Sequence, residues 1–395
     1  MRPSAAALPM HSLDRRKINP IRRRLLAWFD HEKRDMPWRS TRDPYAIWLS
    51  ETMLQQTQVA TVIPYYERFL DRFPTVHDLA SAKIDEVLHL WSGLGYYARA
   101  RNLHRAAQAV VEEFEGAFPQ TPSELRELPG VGAYTAGAVA SIAFGRRAAA
   151  VDGNVIRVLS RLFNIASDVS RNDVRASIQT RAEQLIPLDR PGDFNQALME
   201  LGATVCLPKD AARCPTCPLR PYCAAATAGT VGALPKKSPK AVAKTETHLV
   251  AAVERDGRWL FVRRPANGLW GGLWELPSQP ANGDRSGRSL STTIRSFVTA
   301  HLDDATSIEI VPRPFCDISH QLTHKTIRFI GHACRIREKR IGRISKASRG
   351  CGSTAGRAAA SRNWLPVEES GTLGLSTAMK KVLEALKVAR ADKAI

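Results

Sequence analysis

The spacing of apolar side chains changes once along this chain of 395 residues, and the change limits the folds open to it. From about Ile21 to Gly229 apolar residues recur at helical spacing. In VATVIPYYERFL, for example, Val59, Val62, Ile63, Tyr66, Phe69 and Leu70 share one stripe. The Pro- and Lys-containing stretch TVGALPKKSPKAVAKTE (Thr230–Glu246) breaks that pattern and reads as a linker. Beyond it the period falls to two. THLVAAVERDGRWLFVRR sets two apolar runs around Asp256-Gly257, a type I′ hairpin signal, and THKTIRFIGHACRI alternates Ile327, Phe329, Gly331 and Ala333. Helical segments at Thr293–Leu302 and Ser376–Val388 complete this second part. The expectation is a multidomain chain: a tail (1–20), an all-α domain (21–229), a linker (230–246) and an α+β domain (247–390). Residues Arg335 to Arg362, basic and rich in Ser, Gly and Ala, read as a mobile loop or insertion.

Charge narrows the partners. With 57 Lys+Arg against 38 Asp+Glu, the formal net charge of +19 favours a polyanion, either nucleic acid or an anionic membrane face. No stretch has the apolar length to span a bilayer. The opening MRPSAAALPMHSLDRRK is too weakly apolar for a secretory signal, while an organellar targeting peptide stays open. An intracellular chain is expected. Four of the seven cysteines crowd between Cys206 and Cys223, whereas Cys316, Cys334 and Cys351 are scattered. In a reducing compartment such clustering points to a metal site rather than a disulfide framework. The pattern Cys206-x7-Cys214-x2-Cys217-x5-Cys223 can wrap one metal centre, with iron–sulfur and zinc both open.

Three further motifs carry chemistry. LPGVGAYTAG joins two helices through Pro129-Gly130-Val131-Gly132, a helix-hairpin-helix pattern (about 123–144) whose amides can clamp a DNA phosphate. VDGNVIRVLSRL puts Asp152 just before a helix, where the simplest role is an N-cap. WLSETMLQQTQVA, in a helix opened by Asp43-Pro44, sets Glu51 among Ile47, Trp48 and Leu54. A carboxyl in such surroundings has a raised pKa and can hold a proton at neutral pH, the property of a general acid.

Taken together, WLSETMLQQTQVATVIPYYERF, LHLWSGLGYYARARNL, LPGVGAYTAGAVASIAFG and VDGNVIRVLSRL resemble the adenine DNA glycosylase (MutY) family of the endonuclease III superfamily, from about Pro37 to Cys223. The resemblance implies that Glu51 protonates the adenine ring nitrogen and that Asp152 stabilises the sugar cation, with Tyr134 and Asn154 in the catalytic group. It also implies that Gln55 and Tyr96 probe and wedge the duplex and that Gly130, Val131 and Gly132 hold its backbone. Cys206, Cys214, Cys217 and Cys223 resemble the 4Fe–4S loop of that superfamily, lengthened by one residue between the first two cysteines. Tyr134 stands where endonuclease III carries its Schiff-base lysine, so a monofunctional enzyme is expected. The alternatives are an endonuclease III-like glycosylase with lyase activity, a silent lesion sensor and an iron–sulfur redox regulator.

In the second part GLWGGLWELPSQ resembles the entry to a Nudix (MutT-like) fold, but LSTTIRSFVTAHL lacks the glutamates that would hold Mg²⁺. By resemblance this domain senses 8-oxoguanine through a loop usually reading Phe-Ser-His, here Ile318-Ser319-His320. The implied partner is double-stranded DNA with A:8-oxoguanine or A:G mispairs. The implied protein is a cytoplasmic, nucleoid-associated monomer that acts in base excision repair.

Overall fold

The computed structural model describes residues 15–238, 244–281, 287–302, 307–322, 324–337 and 362–392. Cys351 and most of the stretch from Arg335 to Arg362 lie outside them. Contacts divide the chain into two compact units, residues 1–82 with 102–240 and residues 83–101 with 241–395.

The first unit is helical, with no strand among its described residues. Its core packs Leu25 and Phe29 of helix Arg15–Glu32 against Val155 and Leu159 of helix Gly153–Leu162. Ile178 of helix Asn172–Leu185 and Phe194, Leu198 and Leu201 of helix Pro191–Thr204 close the cluster. Helix Pro44–Leu54 starts as its sequence predicts: Asp43 accepts from the amides of Tyr45 and Ala46 at 3.2 and 3.1 Å, and Pro44 takes the first turn. Every residue from Tyr45 to Met53 is buried, so this helix has no solvent face. It packs on helix Ala133–Ile142, where Gly137 is needed because a Cβ would come within 2.3 Å of the Ala149 carbonyl oxygen.

The hairpin between helices forms where expected. Thr121 and Glu124 make a reciprocal capping box on the short helix Pro122–Leu125. Gly130 then turns at φ +77°, with Asn102 Cβ only 2.5 Å from where a Cβ would stand. Gly132 caps helix Ala133–Ile142 with open space above it. The start of the segment read as a linker is bound to this unit. Arg161 Nε donates to Leu234 O at 3.0 Å, and the Val169 amide donates to Lys236 O at 3.0 Å. Backbone carbonyls make those bonds, so composition does not report them.

The second unit is built on one sheet among the described residues: β1 (Lys244–Arg255), β2 (Arg258–Arg263), β3 (Trp274–Glu275), β4 (Ser278–Pro280), β5 (Ser307–Ile310), β6 (Cys316–Gln321), β7 (Lys325–Arg337) and β8 (Arg362–Leu365). The order is β3-β2-β1-β7-β5, with β4 beside β1, β6 beside β7 and β8 beside β2. β1 and β7 run parallel and the other pairs antiparallel. Asp256 and Gly257 both take positive φ in the two-residue β1–β2 turn, as a type I′ hairpin requires. Alternate residues of β1 bury on opposite faces. Val250 and Ala252 join Ile327, Phe329 and helix Thr377–Ala391, whereas Leu249, Ala251 and Val253 join helix Gly287–Thr299. No helix among the described residues is long and apolar enough to cross a membrane.

Candidate active site

Two N-termini and one helix end build the site in the first unit. Glu51 comes from the last turn of helix Pro44–Leu54, Tyr134 from the first turn of helix Ala133–Ile142, and Asp152 caps helix Gly153–Leu162. Glu51 is buried, at 5% exposure. The Tyr134 hydroxyl donates to Glu51 Oε2 at 2.5 Å and also lies 3.2 Å from the Met199 sulfur. Burial pushes the Glu51 carboxyl up to about 7, against the Tyr134 bond, which favours the anion. The negative charge of Asp152 adds to the upward shift, and Arg39 opposes it. Burial likewise holds the Tyr134 phenol well above its usual value, so it stays a donor at neutral pH.

Asp152 combines the capping role with a held geometry. Its Oδ1 accepts from the Val155 amide at 2.7 Å and its Oδ2 from Asn154 Nδ2 at 2.8 Å. Burial raises its pKa, and these donors oppose the rise. Asn154 is fixed in turn: its Oδ1 accepts from Arg157 Nη2 at 2.8 Å, while Arg157 also donates to the Gly202 and Cys206 carbonyls. The site therefore holds two carboxyl groups whose surroundings separate their roles. One keeps a proton near neutrality, and the other has donors fitted to its charged form.

Gln55 ends helix Pro44–Leu54 and donates from Nε2 to Thr135 Oγ1 at 3.1 Å, beside the hairpin. Tyr96 belongs to the second unit. Sequence reading missed Met199, Arg157 and the buried Glu200, which accepts from Arg34 Nε and Arg39 Nη2 at 2.6 and 2.8 Å. Arg157 lies one helical turn beyond Asn154, a spacing that offered the only local signal.

The four clustered cysteines line one cavity with Val158, Leu162, Leu201 and Leu219. Among the described residues no three His, Cys, Asp or Glu side chains stand in metal-holding geometry. Two thiols are turned to protein partners: Cys206 Sγ accepts from Arg161 Nη1 at 3.4 Å, and Cys223 donates to Arg161 O at 3.5 Å. The donor set still fits an iron–sulfur cluster. Burial and the charges of the other three thiols push Cys217 up to about 11, crowding that a metal would relieve by taking the protons' place. The fully buried guanidinium of Arg161 supplies positive charge beside the thiols, which suits an anionic cluster.

In the second unit Ser319 and His320 lie within β6 rather than in a loop, paired with Arg328 and Ile327 of β7. Ser319 is exposed, whereas the His320 ring packs 6.2 Å from that of Trp270. Helix Gly287–Thr299 carries no acidic residue, in keeping with the missing metal-binding glutamates.

Residues 49–184 match the profile of the HhH-GPD superfamily base excision DNA repair protein, and residues 248–385 match the NUDIX domain. The chain is 44% identical over 313 residues to the adenine DNA glycosylase of Rattus norvegicus, covering 66% of this chain and 60% of that protein. To the adenine DNA glycosylase of Buchnera aphidicola subsp. Baizongia pistaciae (strain Bp) it is 33% identical, covering 77% and 82%. It spans 58–63% of the length of the rat, mouse and human relatives. Among solved structures, a thermostable thymine-DNA glycosylase matches with 30% identity and a TM-score of 0.50, over 54% of this chain and 98% of that one.

Proposed function

The chain belongs to the adenine DNA glycosylase family, and we propose that it is a monofunctional hydrolase that flips adenine from a mispair with 8-oxoguanine or guanine and cleaves its bond to deoxyribose. The observation that carries this reading is the buried Glu51 bonded to Tyr134 beside a donor-held Asp152.

Adenine is a poor leaving group as an anion. A proton delivered to a ring nitrogen by Glu51 lets the C1′–N9 bond break with adenine leaving neutral, a form of acid catalysis worth roughly 10²–10⁴-fold. Because Tyr134 donates to Oε2, the proton to be delivered sits on Oε1. The sugar is left as an oxocarbenium ion, and the Asp152 carboxylate faces its positive charge until water adds at C1′. Asn154 and the Val155 amide hold that carboxylate in place. Tyr134 cannot form a Schiff base, so strand cleavage does not accompany base removal.

The Gly130–Gly132 hairpin is suited to one phosphate of the duplex, Gln55 to the gap left by the extruded base, and Ser319 and His320 to the orphaned oxidised purine. The proposed setting is the nucleoid, as a monomer. Cys206, Cys214, Cys217 and Cys223 would hold a 4Fe–4S cluster, which supplies a cross-link for this loop when bound. Cys217→Ser is expected to yield protein with less than about one iron per chain and a lowered melting temperature, read by iron analysis and calorimetry. Unchanged iron, or stoichiometric zinc in the parent, would overturn the assignment.

A duplex with adenine opposite 8-oxoguanine tests the function. Strand breaks should appear only after alkali, and borohydride should trap no enzyme–DNA adduct. Breaks without alkali would favour the lyase, and none at all a binding protein.

A further inference from the structure

Residues 83–101 fold as part of the second unit. They form helix Ile84–Leu90 and then a turn in which Gly93, Gly95 and Tyr96 take φ of +111°, +78° and +50°. A left-handed tyrosine is strained and persists only where the surroundings impose it. Those surroundings are specific. The buried Trp91 donates from Nε1 to Gly95 O at 3.0 Å, and the Arg99 guanidinium lies 5.4 and 5.3 Å from the ring centroids of Trp91 and Tyr96. The turn presents Tyr96 at 45% exposure, a large side chain left at the surface.

The neighbouring Tyr97 is buried. Its hydroxyl accepts from the Gly93 amide at 3.1 Å and donates to Leu375 O at 3.0 Å. Ser92 Oγ donates to the same carbonyl at 2.8 Å. Leu375 bridges to Trp274 of β3 and precedes Ser376, the N-cap of helix Thr377–Ala391. That helix reaches both features. Lys380 Nζ donates to Ser92 O at 3.3 Å, and the helix packs against β6, the strand that carries His320.

We propose that Tyr97 is a positioning residue for mispair discrimination: its phenol ties the turn that presents Tyr96 to the Leu375 segment of the unit that carries His320. Contact with an oxidised purine and insertion of the Tyr96 wedge then occur as one event. The inference rests on the wedge and lesion-reading roles given above. Removing the hydroxyl releases the amide of Gly93, an exposed residue, to water, whereas Leu375 O keeps Ser92. The turn therefore loosens while the core around it stays satisfied.

The test uses the whole 395-residue chain and compares kcat/KM on A:8-oxoguanine and A:G duplexes. Tyr97→Phe is expected to lower the ratio of the two by about two- to tenfold, the weight of one hydrogen bond. The excision rate of bound A:8-oxoguanine duplex should stay within about twofold. In a Tyr96→Ala background the same substitution should lower the ratio no further. Equal losses on both duplexes, or full additivity with Tyr96→Ala, would mark Tyr97 as merely structural and overturn the proposal. A Tyr96→Ala protein with unaltered preference would sink the wedge role itself, seen without reference to Tyr97. Ser92→Ala removes the other donor to Leu375 and leaves both Tyr97 bonds in place, so it should keep the ratio within about twofold; a drop as large as that of Tyr97→Phe would overturn the proposal.

Discussion

Glu51→Gln is expected to bind duplex with adenine opposite 8-oxoguanine and to release adenine roughly 10²- to 10⁴-fold more slowly than the parent. The amide preserves the shape and still accepts from Tyr134, but it has no proton to give. In the parent the donor form is present below about pH 7 and is lost as pH rises, so excision should fall about tenfold per unit above that. Single-turnover rates at saturating enzyme across about pH 6 to about 9 check both. Half the parent rate in the variant, or a flat alkaline limb in the parent, would remove Glu51 as the donor.

The same shift has a consequence for stability. Folded Glu51 holds its proton more tightly than the unfolded chain does, so its contribution is full below about 4.5 and is lost as pH climbs to about 7. Above that, burying the charge costs roughly 3 kcal/mol, which glutamine avoids. Glu51→Gln should therefore melt several degrees higher than the parent at alkaline pH, with the gain vanishing in acid, where Glu51 is also neutral. A proton donor of the kind proposed for Glu51, kept at the cost of stability, fits the pattern of active sites.

Asp152→Asn is expected to cost about 10²–10³-fold in excision. Asparagine is as good an N-cap as aspartate, so helix Gly153–Leu162 should survive. The loss has two sources. The charge proposed to face the sugar cation is gone, and one side of the new amide must present N–H groups to a donor, either the Val155 amide or Asn154 Nδ2. Asn154 has little freedom to turn because Arg157 holds its carbonyl. The check is excision rate together with a melting temperature near that of the parent. Near-parental excision would show that no charge is needed at this position.

Much of the molecule is legible in its sequence. The burial of Glu51 followed from a helix with apolar residues on every side, and the Asp256-Gly257 turn from a dipeptide that tolerates positive φ at both positions. Gly130 was legible because a glycine there allows the backbone to approach closely. Other features were not. WSGLGYYARAR reads as a continuation of the helical half, because its periodicity is helical whichever unit it packs on. Ser319 and His320 alternate in a strand that the family resemblance had cast as a loop.

The chain by itself determined its elements, their order and the residues proposed for acid catalysis, since period, capping and turn chemistry act within a few positions. Only the tertiary structure decided which oxygen of Glu51 keeps a partner, because Tyr134 arrives from 83 residues away. It also decided that Tyr96 belongs with the sheet, through a hydrogen bond from Tyr97 to a carbonyl 278 residues distant. Desolvation and hydrogen bonding depend on what is near in space. A local pattern can make a side chain suitable for a site, but the fold sets its acidity and its neighbours.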